Sequence, residues 1–137
     1  MDLYATNHEN NMILGIGIDS IEIMRFAHWH TYSHAQLQRV FSVNEITYCL
    51  QAPQKSAERF AARFAAREAL WKALCQANPQ HPKAFLTFCR KVEVAHCSRG
   101  VPYFIIDEKY VGTQTKILLS LTHTGNTATA LTIISSM

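Results

Sequence analysis

The four cysteines, Cys49, Cys75, Cys89 and Cys97, include no pair at the two-residue spacing of a zinc knuckle or a redox motif. Their neighbours are apolar or helix-forming, so they read as buried, reduced thiols of an intracellular chain. No apolar stretch approaches the roughly 20 residues of a membrane span. The opening residues, MDLYATNHENN, lack a basic start followed by an apolar run, so no secretory signal is read there. A cytoplasmic location without a membrane partner is expected. No basic run exceeds two residues, and the net charge is only +3. That is too weak and too dispersed for a nucleic-acid face, but it suits a partner carrying phosphates or carboxylates. Internal repeats, low-complexity tracts and linkers are also lacking.

The 137 residues fit one domain, with residues 1–11 as an N-terminal extension and 12–137 as the folded unit. An apolar content of 48 % against 17 % charged residues is that of a globular domain. So short a chain has a high surface-to-volume ratio, which makes a subunit partner unsurprising.

Residues 12 to 19, MILGIGID, predict a strand. Period two places Met12, Leu14, Ile16 and Ile18 on one face and Gly15, Gly17 and Asp19 on the other. The glycine face lets another element approach closely. A short helix carrying Arg25 is expected over 21 to 30, and a second over 33 to 40. Ser42 and Glu45 have the capping-box spacing, so a helix over Val43 to Leu50 follows, with Glu45 read as its capping residue. The clearest helix spans Ser56 to Cys75, rich in alanine and without glycine or proline. Phe60, Phe64 and Trp71 form its apolar stripe. Ala61, Ala65, Glu68 and Lys72 form a narrow stripe beside it, delivering an acid and a base one turn apart to a tightly packed place. Strands over Val92 to Cys97 and Val101 to Ile106 flank Ser98-Arg99-Gly100. Strands over Ile117 to His123 and Thr127 to Ile134 flank Thr124-Gly125-Asn126. The class is α+β: an antiparallel sheet packed on one long helix.

Asp19 and Glu68 are acids in apolar or alanine-rich surroundings. Brought together, two carboxylates repel unless a cation lies between them, and Mg²⁺ takes one or two carboxylates together with waters and phosphates. Lys72 would add a second positive point. Each residue also has a plain reading. Asp19 can end a strand, Glu68 and Lys72 can be a solvated i,i+4 pair, and His123 can be an edge histidine. His28, His30 and His34 share no fixed face and make a poor metal site.

The order of motifs narrows this. GIGIDSIEIMRF (Gly15 to Phe26) resembles the opening motif of the holo-acyl-carrier-protein synthases, which are 4′-phosphopantetheinyl transferases. VFSVNEITYC (Val40 to Cys49), RFAAREALWKAL (Arg63 to Leu74) and ILLSLTHTGNTATALTII (Ile117 to Ile134) resemble that family's later motifs. The resemblance implies the 4′-phosphopantetheinyl transferase fold, Mg²⁺ as cofactor, coenzyme A as co-substrate, an acyl carrier protein as partner, and a homotrimer. It implies Mg²⁺ on Asp19 and Glu68, and Lys72 beside the coenzyme A phosphates. Arg63, Gly100, Pro102 and His123 would lie near the nucleotide, and Arg25 would meet the carrier protein. Where the family has a glycine-rich turn, this chain reads Lys72-Ala73-Leu74-Cys75-Gln76-Ala77-Asn78, and Thr122 stands where serine is usual. The altered turn leaves room for a non-catalytic module that binds coenzyme A or the carrier protein on the same fold.

Overall fold

The alternation over residues 12 to 19 is a strand in the computed structural model, which describes residues 11–81 and 84–137. The N-terminal extension lies outside the described residues apart from its last position. Strand β1 (Ile13–Glu22) pairs antiparallel with β5 (Thr127–Ser136), and β5 with β4 (Thr115–His123), in the order β1-β5-β4. A separate antiparallel hairpin, β2 (Val92–His96) and β3 (Pro102–Ile106), lays β3 against β4. The expected strands are all present, divided between two sheets.

The long helix α3 (Ser56–Ala77) crosses the inner face of the three-stranded sheet. Its end follows from local chemistry. No glycine interrupts it after Lys72, so it continues to Ala77. Asn78 then precedes Pro79, which disfavours α conformation in the residue before it, and Asn78 is extended (φ −134°, ψ 96°).

The glycines set the helix–strand distance. A Cβ on Gly17 would stand 1.8 Å from the Ala69 carbonyl oxygen, and one on Gly15 would stand 2.2 Å from that of Ala73. Only backbone fits there. Ala61 and Ala65 are buried as expected, but the closest approach falls two turns further along the helix. The same face of β5 is small, with Ala128, Ala130 and Thr132 fully buried. Because the glycines occupy the helix side, Ile16 and Ile18 point away from it and stay exposed. Leu14 parts from them. A bulge between Ile13 and Gly15 leaves it unpaired, and it packs into the core beside Leu70 and Ala73.

The expected helix over 21 to 30 does not form. Ile23 N–H donates to the Asn126 carbonyl (2.9 Å), prolonging the sheet connection, and two 3₁₀ turns follow, Ile23–Phe26 and Trp29–Thr31. Over 33 to 40, only one turn is helical, α1 (His34–Leu37). Helix α2 (Val43–Leu50) begins with the Ser42–Glu45 capping box. A short α4 (Phe85–Cys89) and a single turn α5 (Glu108–Val111), neither read from the sequence, complete the chain. Phe26, Trp29, Phe41, Phe60 and Phe64 form one aromatic cluster, with Phe26 and Phe64 ring centres 5.5 Å apart. This pins the turn carrying Arg25 to α3.

All four cysteines are unpaired thiols. Burial pushes Cys49 and Cys89 up to about 12, so both stay protonated and inert. Cys75 and Cys97 differ from the expectation: Cys75 is only partly buried, and Cys97 lies exposed in the β2–β3 turn. Among the described residues no helix is long and apolar enough to cross a membrane.

Candidate active site

The tight β1–α3 contact brings Asp19 to Glu68, one turn before Lys72. The Lys72 Nζ donates to Asp19 Oδ1 (3.1 Å) and to the Ile18 carbonyl (3.0 Å). One turn on, Gln76 Oε1 accepts from the Ile16 N–H at 2.9 Å. The Glu68 carboxyl is pushed up to about 7, first by burial, then by a hydrogen bond with Asp19 and by its charge. The charges of Lys72 and Arg25 act the other way. Arg25 is exposed on its 3₁₀ turn, so its charge is felt at this site from the solvent side.

A carboxyl half-protonated near neutrality beside another carboxylate is a place that favours a cation. The donor set fits Mg²⁺, which needs few protein oxygens and leaves positions for water and phosphate. Among the described residues no group of three or more His, Cys, Asp or Glu side chains is placed to hold a metal, so a closed zinc-type site is not found.

Arg63, Gly100, Pro102 and His123 form a second group. They line a cavity of about 220 Å³ with Tyr48, Glu58, Arg59, Ala62, His96 and Leu121. Arg63 and Gly100 also line an adjoining cavity of about 670 Å³. Gly100 takes the left-handed conformation (φ 79°) that turns the β2–β3 hairpin, which is why glycine stands there. His123, at the end of β4, places Nε2 3.1 Å from Glu58 Oε1. Asp19, Glu68 and Lys72 are not among the residues lining these two cavities. One chain therefore presents the expected residues as two groups, the acidic pair with Lys72 and Arg25, and the cavity group of Arg63, Gly100, Pro102 and His123.

A buried ion pair escaped the sequence reading. Glu45 caps α2 as expected, and its carboxylate also takes both Arg67 Nη atoms and the Val94 N–H. Arg67 in turn donates to the carbonyls of Cys89 and Val92. Both side chains are almost wholly buried. The signal was present: Arg67 lies seven residues after Phe60 and three before Leu70, on the buried stripe of α3. Tyr48, Arg59 and His96 were missed with less warning, because only the tertiary fold brings α2, α3 and β2 to one cavity.

The profile of the 4′-phosphopantetheinyl transferase superfamily matches residues 15–132. The chain belongs to that superfamily. Within it, the chain is similar to the holo-[acyl-carrier-protein] synthase of Geotalea daltonii, 35 % identical over an alignment of 135 positions that takes in 90 % of this chain and 98 % of the relative. Among solved structures, it resembles a holo-(acyl-carrier-protein) synthase from Bacillus anthracis in complex with CoA (3′,5′-ADP). The TM-score is 0.71 at 29 % identity, covering 92 % of this chain and 99 % of that one. It also resembles the ACPS–CoA complex of Chronobacterium ammoniagenes, with a TM-score of 0.74 at 26 % identity, covering 90 % and 97 %.

Proposed function

We propose that the chain transfers the 4′-phosphopantetheine group of coenzyme A to a serine hydroxyl of an apo-acyl carrier protein. The serine oxygen bonds to the β-phosphorus, the bridging P–O bond breaks, and adenosine 3′,5′-bisphosphate leaves. The observation that carries this reading is the meeting of Asp19 and Glu68 beside Lys72, on a fold shared with coenzyme A-bound synthases.

Such transfer depends mostly on positioning and on spreading negative charge. Asp19 and Glu68 would hold Mg²⁺, which when bound would supply positive charge to the diphosphate. Lys72, already hydrogen-bonded to Asp19, is placed to offset charge on the leaving phosphate. The serine proton passes to Glu68 or to water. Arg63, His123, Gly100 and Pro102 hold the nucleotide. Arg25, exposed and within electrostatic reach of Glu68, receives an acidic carrier protein where its serine is needed.

A homotrimer belongs to the same reading. The sheet face opposite α3 exposes Ile16, Ile18 and Leu118, an apolar patch of the kind subunit contacts cover. With the two groups of site residues lining different places on one chain, a neighbouring subunit is suited to complete the site. The protein is placed in the cytoplasm, where its carrier protein and coenzyme A would be met.

The test follows the mass of a purified apo-carrier protein with coenzyme A, with and without Mg²⁺. A gain of one phosphopantetheine that needs the metal supports the enzyme. Metal-linked binding of coenzyme A with no mass gain would leave a non-catalytic binding module instead.

A further inference from the structure

Three side chains on the cavity walls have so far been given no part: Tyr48, Arg59 and His96. Tyr48 lies in the last turn of α2 with its side chain partly exposed. Arg59 Nη1 donates to the Tyr48 carbonyl (2.7 Å), and its guanidinium carbon lies 4.0 Å from the centre of the Tyr48 ring. The guanidinium carbon of Arg63 lies 4.3 Å from the same centre. The His96 ring stands 6.0 Å away, with Nδ1 3.5 Å from Arg63 Nη2.

Arg63 is only 4 % exposed, and its Nε has no hydrogen-bond partner among the described residues; the nearest acid, Glu45, is 3.9 Å off and already occupied by Arg67. Glu58, the acid lining the smaller cavity, is engaged by His123. Two guanidiniums therefore share one aromatic ring at a cavity whose own carboxylate is taken.

An isolated surface arginine samples many rotamers. Here both stack on the Tyr48 ring, and each donates to a carbonyl, Arg59 to that of Tyr48 and Arg63 Nη1 to that of Arg59 (3.3 Å), which fixes them. A phosphate monoester is a dianion whose oxygens can accept from the remaining N–H groups of two guanidiniums at once. Coenzyme A carries one such group, the 3′-phosphate, remote from the diphosphate that reacts.

We propose that Tyr48 is a positioning residue that holds Arg59 and Arg63 as a paired fork for a phosphate monoester. In doing so it sets the preference for coenzyme A over the same molecule without its 3′-phosphate. This rests on the coenzyme A reading above and adds the residue that makes the discrimination.

The experiment is calorimetric titration of coenzyme A and of 3′-dephospho-coenzyme A into the full chain, as wild type, Tyr48→Phe, Tyr48→Leu and Arg59→Gln. Wild type should bind coenzyme A at least about tenfold more tightly than the dephospho form. Tyr48→Phe keeps the aromatic face and should keep that ratio. Tyr48→Leu should lose most of it through weaker coenzyme A binding alone, and in turnover should raise the KM for coenzyme A while leaving kcat and the KM for carrier protein in place. Arg59→Gln, which leaves Tyr48 intact, should lose part of the ratio, and it decides the matter if the leucine variant does not fold. Tyr48→Leu weakening both coenzymes equally, or an unchanged ratio in both Tyr48→Leu and Arg59→Gln, overturns the proposal. Wild type binding neither coenzyme overturns the functional reading itself, and this proposal with it.

Discussion

Lys72 and Asp19 meet across the line where α3 lies on β1, Nζ to Oδ1 at 3.1 Å, and the same ammonium holds the carbonyl of Ile18. The lysine thus fixes both the side chain of Asp19 and the backbone leading into it. Glu68 approaches the same carboxylate from one turn earlier on the helix. The arrangement is prepared before any ligand arrives.

Asp19→Ala should remove one of two carboxylates offered to the metal and release Lys72. Turnover should fall by about 100-fold or more, while the far-ultraviolet circular dichroism stays that of the wild type. Undiminished Mg²⁺-dependent turnover would remove Asp19 from the metal site.

The Glu68 carboxyl sits near 7 against an ordinary value of 4.5. The cation needs it ionised, so below about pH 7 binding must displace a proton. Apparent Mg²⁺ affinity should rise with pH towards 7 and level off above it. Without metal the sign for stability is the reverse. The folded chain holds the Glu68 proton more tightly than the unfolded chain, so this contribution is complete below about 4.5 and is lost as pH rises through about 7. Mg²⁺ titrations and urea melts across that range check both signs; an affinity independent of pH would contradict the arrangement.

Gly17→Ala would drive a methyl group to 1.8 Å from the Ala69 carbonyl, so helix and strand must part. Destabilisation of about 3 kcal/mol or more is expected, measured by denaturant unfolding. Activity under native conditions should fall as well, because Asp19 and Glu68 reside on the two elements forced apart.

Breaking the Glu45–Arg67 pair with Arg67→Met leaves a carboxylate buried without its charge partner, at about 3–5 kcal/mol. Adding Glu45→Gln should recover part of that loss, so the double variant is less unstable than the sum of the singles. Additive losses would mean that the two side chains act independently.

Leu118→Glu places a charge on the exposed sheet face without touching either group of site residues. Analytical ultracentrifugation should show a trimer for the wild-type chain and a smaller species for the variant. A wild-type monomer would end the trimer reading.

What could be read from the sequence was whatever local chemistry decides. The Ser42–Glu45 cap, the alanine-rich helix, the glycine face of β1 and the turn at Gly100 each follow from nearby residues. The 21 to 30 segment was misread because the bond from Ile23 to Asn126, about a hundred positions away, holds it to the sheet end. Arg67 was passed over because helical spacing places it in the core but does not reveal Glu45 waiting there. Tyr48, Arg59 and His96 come from three elements, and no local pattern joins them. The Asp19–Glu68 meeting was expected from the family resemblance; the glycine face of β1 called for a close neighbour without saying which turn of the helix it would be.

β1 is the outer strand of its sheet, and an outer strand normally presents bare amides and carbonyls to any passing chain. Here the helix's own side chains occupy those groups: Gln76 takes the amide of Ile16 and Lys72 the carbonyl of Ile18. That stretch of the margin is closed to added strands, so copies of the chain cannot zip together edge to edge there into open-ended ribbons. The closed assembly proposed above would instead use the apolar side of this sheet, where Ile16, Ile18 and Leu118 stand exposed.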